Sequence, residues 1–229
     1  MLIVACHQPN FIPWPGFFYK ALQADIFVLL DNVQFPISTS WVNRNRIKTA
    51  AGSLWLTVPV WRKGRTLQKI KDVEICNDLV WGRKHYLSIL HAYSKAPYLE
   101  EHVDFFQAVF ANRYRWLIDF NLRLLEYLKQ QLRIKTEMIL ASHLGVEAKG
   151  TELLVQICQR LDATTYLCPS AARKYIDASK FQESRITVRY YNFTPPVYPQ
   201  LWGSFIPNLS VIDLLLNCGS KSAEIINMA

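Results

Sequence analysis

The chain has 229 residues, of which 51% are hydrophobic and 19% are charged, so it is long and apolar enough to bury the core of at least one domain. No run of about 18 apolar residues occurs, which excludes a transmembrane helix, and the apolar start lacks the basic region of a signal peptide. Five scattered cysteines without a CxxC pair predict reduced thiols in a cytoplasmic protein.

The first 35 residues predict a strand, a loop, a helix and a second strand. MLIVAC is a short apolar run, HQPNFIPWPGFF is rich in turn residues, YKALQAD has helical character, and IFVLLDNVQF is again apolar. This order is typical of a parallel β-α-β unit, whose ligands lie at the carboxyl ends of the strands. We therefore expect a functional site at the opening of the chain.

The middle of the chain changes from a basic β segment at about 41–77 to helices at about 78–132. Residues 34–52 predict a long loop with a turn at Ala51-Gly52, and LWLTVPVW predicts a strand because its side chains suit a pleated surface. Beyond residue 78, apolar residues recur at helical spacing in three successive segments.

The last third of the chain alternates between strands and helices. TEMILASHL, TTYLCPS and RITVRYYNF predict strands, while TELLVQICQRLDA, SAARKYID and LSVIDLLLNCG predict helices. Thr151 is placed to cap the first of these helices, and Ser210 with Asp213 matches a capping box at the last. The pattern predicts one α/β domain over residues 1–229, with a mainly parallel sheet and a helical insertion.

The positive charge is concentrated in one stretch. The formal net charge is +8, and residues 41–85 contain ten Lys and Arg against three Asp and Glu, which is nearly the whole excess. A localised basic segment favours an anionic partner such as a nucleotide, a phosphosugar or a nucleic acid. A solvated basic face is the alternative.

Polar residues follow both opening strands. His7, Gln8 and Asn10 come directly after the first strand, and Asp31 and Gln34 follow the second. An imidazole beside amides suits proton transfer, and an acid after the second strand suits contact with a ribose or an amine. We predict catalytic roles for His7, Asn10 and Asp31 and substrate contacts for Gln8 and Gln34. Turn and helix capping is the alternative.

The basic segment contains a compact group of aromatic, amide and cationic residues. Trp41 precedes Asn43, Arg44, Arg46 and Lys48, all of which we predict to bind substrate. Arginine presents a planar fork of donors to phosphate, and a tryptophan can stack on a base or a sugar. A single-stranded nucleic-acid site has the same composition, and a solvated loop is the third interpretation.

An aromatic, proline-rich loop precedes the last predicted helix. Its Tyr198, Gln200 and Trp202 are predicted to line a substrate pocket. No metal site is predicted, because His85, His91 and His102 are six and eleven residues apart, which does not suit ligands on a helix, and no acid or cysteine completes a known pattern. Cys168 lies at a strand-to-helix turn, but no partner histidine for a catalytic thiol can be named.

Four of these motifs together resemble the WbqC-like protein family: HQPNFIPWPGFF, SWVNRNRIKTAAGSLWLTVPV, YLCPSAARKYID and YPQLWGSFIPNLSVIDLLLNCG. The resemblance runs almost end to end. It implies a role in bacterial O-antigen, other surface-polysaccharide or specialised-metabolite biosynthesis, with transfer of glycine or another acyl group to an amino sugar. The opening β-α-β unit also resembles the HUP-type, Rossmann-like nucleotide-binding proteins, although only His7 is present and a second histidine is missing.

These observations lead to one functional hypothesis and two rivals. The preferred hypothesis is an acyl or aminoacyl transferase acting on a nucleotide-linked or otherwise phosphate-bearing amino sugar, with no assigned cofactor beyond a nucleotide or aminoacyl donor. The first rival is an ATP-dependent nucleotidyltransferase or ligase of HUP type. The second is a nucleic-acid-binding module, with tRNA among its potential partners. The oligomeric state is left open.

Overall fold

A parallel sheet forms the centre of the molecule, and a separate two-stranded hairpin packs beside it. The computed structural model describes residues 1–38, 40–65 and 67–229. Its strands, in chain order, are β1 Ile3–His7, β2 Ile26–Leu29, β3 Arg44–Thr49, β4 Gly52–Thr57, β5 Glu137–Leu140, β6 Thr165–Pro169 and β7 Thr187–Tyr191. Five of them pair in parallel in the order β5-β2-β1-β6-β7, and β3 and β4 pair antiparallel.

The order of the parallel strands indicates at which edge of the sheet folds of this kind bind ligands. Counted within the sheet alone, the order is 3-2-1-4-5, which is that of Rossmann-like, doubly wound folds. The chain moves outward in one direction from β1 to β2 and β5, and in the other direction from β6 to β7. A crevice therefore opens between β1 and β6 at their carboxyl ends. The predicted α/β fold with a mainly parallel sheet is confirmed.

Eight helices accompany the strands in the described ranges: α1 Pro15–Leu22, α2 Trp81–Ala92, α3 Val103–Ala111, α4 Leu117–Gln131, α5 Gly150–Arg160, α6 Ala178–Glu183, α7 Val211–Cys218 and α8 Ser222–Asn227. In these ranges no helix is both long and apolar enough to cross a membrane. Helix α1 begins at Pro15, where the missing N–H of proline removes no helical hydrogen bond.

Helices α2 to α4 occupy the range predicted to be helical. Their Ile89, Phe106 and Phe120 belong to the same apolar cluster as Phe17 and Phe18 of α1. The three helices therefore complete the core on one side of the sheet and share it with the opening β-α-β unit. A helical insertion separate from the rest of the fold, and a single domain over residues 1–229, stay predictions.

The segment predicted as a long loop contains β3, and this prediction was wrong. Asn45 and Ile47 point inward, while Arg44 and Arg46 lie on the opposite face, as the alternation of a strand requires. The pattern is hidden in the sequence because a polar amide occupies an inward position that strands usually give to apolar side chains. The turn lies at 50–51, one residue before the predicted position.

Three further predictions concern helices or their caps, and the structure confirms only one of them. SAARKYID forms a short 3-10 turn over Ser170–Lys174, and α6 follows it, capped by the side chain of Asp177. Thr151 does not cap α5: its hydroxyl accepts a hydrogen bond from the backbone N–H of Asp177 at 3.1 Å. Ser210 does cap α7, with its hydroxyl accepting from the N–H of Ile212.

Candidate functional site

A cavity of about 290 Å³ lies beside the carboxyl end of β1. It is lined by His7, Asn10, Trp14, Trp41 and Asn208. These residues come from the end of β1, the loop after it, the segment before β3 and the loop before α7. The structure thus brings together His7 and Asn10, two of the three predicted catalytic residues, and Trp41, a predicted substrate residue.

His7 is held as a neutral imidazole with one nitrogen unused. Its Nδ1 lies 3.0 Å from the carbonyl oxygen of Gln8, and because a carbonyl can only accept, Nδ1 carries the proton. Nε2 is then an acceptor, and it makes no hydrogen bond to any of the described residues. Burial, assisted by the charge of Lys20 and opposed by the bond to Gln8, lowers the pKa of His7 to about 4.

Aromatic rings pack around the imidazole. The ring centroid of Phe17 on α1 lies 4.9 Å from that of His7, edge to face, and Phe27 on β2 lies 6.5 Å away. These rings remove water from one side of His7 and fix its orientation. The imidazole is therefore positioned before any ligand arrives.

Asn10 contributes a second unused acceptor. The residue is only 5% exposed, and its Oδ1 is buried without a hydrogen-bond partner among the described residues. Leaving a buried polar atom unpaired costs about 1–3 kcal/mol. The Oδ1 atoms of Asn43 and Asn121 share this state, but neither residue lines the cavity. Asn10 lines the cavity, and a small rotation of its side chain would present this oxygen to a ligand N–H or O–H group.

Indole rings form the walls of the cavity. Trp14 precedes α1, and its ring lies against the helix backbone at Gly16. A Cβ at position 16 would overlap with this ring, so glycine allows the close contact. Phe193 supports the other side of Trp14 at 5.1 Å between ring centroids, edge to face. An aromatic wall beside two acceptors suits a polar ligand with an apolar face, such as a sugar.

Buried amides hold the loop that follows β1. The Nδ2 group of Asn121 on α4 donates to Pro9 and Val42 carbonyls, at 2.8 and 2.7 Å, and Asn45 on β3 donates to the Ile12 carbonyl at 2.8 Å. Ile12 has φ +34°, a strained conformation for a β-branched residue. The loop is thus held in a defined shape by side chains from elements distant in sequence.

The hairpin extends the site outward from the cavity. Trp41 is 41% exposed, and its ring centroid lies 5.5 Å from that of Trp55 on β4, which is 38% exposed. The guanidinium of Arg44 lies 3.7 Å from the Trp55 ring centroid and that of Arg46 lies 5.5 Å from it. We call these four residues the Trp–Arg surface.

Much of the remaining basic segment is engaged elsewhere. Arg62 donates to the carbonyls of Pro36 and Ile37, and Glu74 pairs with both Arg65 and Arg115. Two lysines of the segment also lie near carboxylates, Lys69 near Glu147 and Lys71 near Asp72. Within the described residues, by contrast, neither Arg44 nor Arg46 has a carboxylate partner. Part of the concentrated charge is therefore paired within the protein, whereas the two arginines over Trp55 keep theirs.

Three predicted substrate residues form a closed internal network instead. Lys48 is 1% exposed, and its ammonium donates to Gln200 Oε1 at 3.1 Å and to the Ser204 carbonyl at 2.7 Å. Gln200 in turn donates to Asp213 Oδ2 at 2.8 Å. The hydroxyls of Tyr93 and Tyr198 donate to the two oxygens of Asp213, each at 2.8 Å. We call this cluster the Asp213 network.

The Asp213 network fastens the aromatic loop to the hairpin and to α7. Burial raises the pKa of Asp213, while its three donors oppose that shift. The structure thus gives Lys48, Tyr198 and Gln200 partners within the protein, and these residues do not line the cavity. They act on it indirectly, because the loop that they hold also supplies Asn208.

The other predicted site residues lie outside the cavity. Asp31 is 1% exposed and accepts hydrogen bonds from the Ser142 N–H and hydroxyl, at 2.9 and 2.6 Å, which ties the end of β2 to the end of β5. Asn43 donates to the Val58 carbonyl within the hairpin, and Trp202 donates to the Ala92 carbonyl. Gln34 is exposed and bridges to Lys69, and Gln8 contributes its backbone oxygen to His7.

The sequence analysis did not identify Lys20, although helical spacing places it on the buried face of α1. It lies three residues after Phe17 and one before Ala21, on the buried face of α1, and is 5% exposed. Its ammonium donates to the Cys6 carbonyl at 2.6 Å, and burial lowers its pKa to about 8. Trp14, Trp55 and Asn208 were also missed, because only the fold brings them to the cavity or the hairpin.

The structure provides neither a reactive thiol at Cys168 nor a cluster of metal ligands among the described residues. Burial raises the pKa of the Cys168 thiol to about 11, so the thiol is protonated at neutral pH. In the part of the chain that the structure describes, no three His, Cys, Asp or Glu side chains converge where they could hold a metal ion.

Comparison with known proteins supports the motif-based assignment. The model of the WbqC-like protein family matches residues 8–225. An uncharacterized protein of Mycobacterium tuberculosis (strain ATCC 25618 / H37Rv), Rv1507c, is 34% identical over 223 residues, which cover 96% of each chain. No solved structure matches this chain. The resemblance seen in the four sequence motifs is thus confirmed, and the chain belongs to the WbqC-like protein family.

Proposed function

We propose that this protein transfers an acyl or aminoacyl group to the amine of a phosphate-bearing amino sugar. The observation that carries the proposal is a cavity lined by His7 and Asn10, whose Nε2 and Oδ1 atoms have no partner among the described residues. Trp41 of the same cavity contacts Trp55, over which lie two guanidiniums without carboxylate partners. An amine supplies the N–H groups that these acceptors lack. The indoles of Trp14 and Trp41 offer flat faces to a sugar ring.

The proposed chemistry uses His7 as a proton carrier. The amine nitrogen attacks the carbonyl carbon of the donor, a C–N bond forms, and the nitrogen proton passes to His7 Nε2. The bond from that carbon to the leaving group then breaks, and the imidazolium returns the proton to the departing atom. The low pKa of His7 keeps the imidazole neutral at neutral pH and favours the return of the proton from the imidazolium to the leaving group.

The roles of the remaining residues follow from their positions. Arg44 and Arg46 bind the phosphate groups outside the cavity, where their guanidiniums remain available. Asp31 acts as a clamp between β2 and β5, since both of its oxygens are already bonded to Ser142. A role in O-antigen or other surface-polysaccharide assembly, and a cytoplasmic location, belong to this proposal; the unpaired state of all five cysteines fits the location.

The test is a transfer assay on the purified protein. Amino-sugar acceptors, free or nucleotide-linked, are incubated with thioester or aminoacyl donors, and the acylated product is identified by mass spectrometry. We expect His7→Asn to reduce the rate about 100- to 10,000-fold with modest change in acceptor affinity. His91→Asn, an exposed histidine of α2, is the matched control and keeps full activity. An unchanged rate in the His7→Asn protein would sink the proposal.

The sheet order favours a second candidate, nucleotidyl transfer of the HUP type. A histidine at the end of the first strand, beside the crevice of a 3-2-1-4-5 sheet, is also suited to contact the phosphates of ATP. This activity would release pyrophosphate from ATP in the presence of Mg²⁺, and chelation would abolish it. Acyl transfer would continue unchanged after chelation.

A further inference from the structure

The Trp–Arg surface combines features that recognise one kind of ligand. Two partly exposed indoles lie side by side, and two guanidiniums lie over one of them. Arg46 is directly opposite Trp55 in the hairpin register, and Arg44 lies on the same face of β3 two residues earlier. Planar rings beside fixed guanidiniums suit a molecule with both a flat base and phosphates.

The guanidiniums are held in place before binding. Contact with the Trp55 ring restricts Arg44, and the Nε atoms of both arginines are buried without a hydrogen-bond partner among the described residues. Their terminal N–H groups therefore approach a phosphate with little further loss of side-chain entropy.

The number of unpaired guanidiniums at the Trp–Arg surface indicates how many phosphates a ligand would present there. Arg62, Arg65, Lys69 and Lys71 contact other groups of the protein, and Lys48 is buried. Two neighbouring guanidiniums match two neighbouring phosphates. A long nucleic acid would need a continuous cationic groove, which the engaged residues do not offer.

We propose that the Trp–Arg surface binds a nucleoside diphosphate, with the base stacked on the indoles and the diphosphate on Arg44 and Arg46. Trp41 belongs both to this surface and to the cavity wall, so a group attached to the outer phosphate enters the cavity beside it. The nature of that attached group rests on the proposed function, whereas nucleotide binding does not. Trp55, absent from the sequence-based site, holds Arg44 and presents the rest of its ring beside Trp41.

Binding of UDP, ADP, sodium pyrophosphate and uridine to the purified full chain tests this proposal by calorimetry. We expect both nucleotides to bind, and more tightly than pyrophosphate or uridine, because only they engage both halves of the surface. Arg44→Ala should weaken UDP binding about 10- to 100-fold. Trp55→Ala should weaken UDP binding about 5- to 100-fold and pyrophosphate binding by less, because pyrophosphate loses only the ring that positions Arg44.

Matched variants separate recognition from folding. Trp61→Ala removes another exposed tryptophan of the basic segment, and Arg83→Ala removes an exposed arginine; both should bind UDP normally. Trp55→Tyr keeps a ring and should retain most of the affinity. Thermal unfolding of each variant shows that the hairpin is intact.

Three outcomes would overturn the proposal. These are equal affinity for pyrophosphate and UDP, normal UDP binding by both Arg44→Ala and Trp55→Ala, and tight, steeply salt-dependent binding of a single-stranded RNA without UDP binding. Nucleotide binding without any acyl transfer would support this proposal and count against the proposed function. Acyl transfer without nucleotide binding would do the reverse.

Discussion

The cavity and the Asp213 network both contain buried polar groups, but these groups are in opposite states. In the network, the carboxylate of Asp213 receives three donors and the Lys48 ammonium finds two acceptors. In the cavity, one nitrogen of His7 and the oxygen of Asn10 have no partner among the described residues. Polar groups that satisfy one another stabilise a fold, whereas an unsatisfied polar group that lines a cavity is a candidate ligand contact.

The largest expected difference concerns stability. Asp213→Ala leaves the hydroxyls of Tyr93 and Tyr198 unpaired and removes the negative charge nearest to Lys48, so the free energy of unfolding should fall by about 3–5 kcal/mol. Chemical denaturation measures this change. Asp119→Ala, an exposed carboxylate on α4, should cost less than about 1 kcal/mol. Equal losses in the two variants would remove the distinction between a closed network and an ordinary surface.

The pH dependence of stability tests the state of His7. Between pH 6.5 and about 4 the unfolded chain protonates this histidine while the folded protein keeps it neutral. The unfolded state then binds more protons, so stability falls as the pH is lowered, by up to about 3 kcal/mol at pH 4. His7→Asn should remove this part of the acid sensitivity in denaturation curves recorded at several pH values. Parallel curves for the two proteins would mean that His7 is not held neutral.

The smallest expected effect is at Asn10. Asn10→Leu replaces an unpaired polar group with an apolar one of similar size and should change the free energy of unfolding by less than about 0.5 kcal/mol. Asn121→Leu is the matched comparison, because it removes the donors to Pro9 and Val42 and should cost at least about 2 kcal/mol. If Asn10→Leu destabilised the protein as much as Asn121→Leu, Asn10 would be a structural residue.

Local patterns predicted the elements whose apolar residues are regular. The five strands of the parallel sheet and the helices from α2 to α5 follow from runs and periods of apolar residues. Strand β3 does not, because its buried residues include Asn45 and Lys48, which lie on opposite faces and need partners from distant segments. A single sequence does not show such partners.

The same limit explains the outcome for the site. The local sequence shows that His7 and Asn10 follow the first strand, and ligands of parallel α/β folds bind at strand ends. Both residues could therefore be identified from the sequence alone. Whether a polar side chain is satisfied depends on residues far along the chain. Lys48 and Arg44 look equivalent in the sequence, yet one is buried beside Gln200 and the other lies over Trp55.

The sequence by itself determined the family, the α/β class and the position of a polar loop after the first strand, because each depends on motifs or on short-range periodicity. Only the tertiary structure decided which polar residues face the cavity and which bond to one another. Hydrogen bonds and burial join Lys48 to Gln200 across about 150 residues, and Trp41 to Trp55 across a hairpin. These long-range contacts, set by packing of the whole chain, separate ligand-binding residues from structural ones.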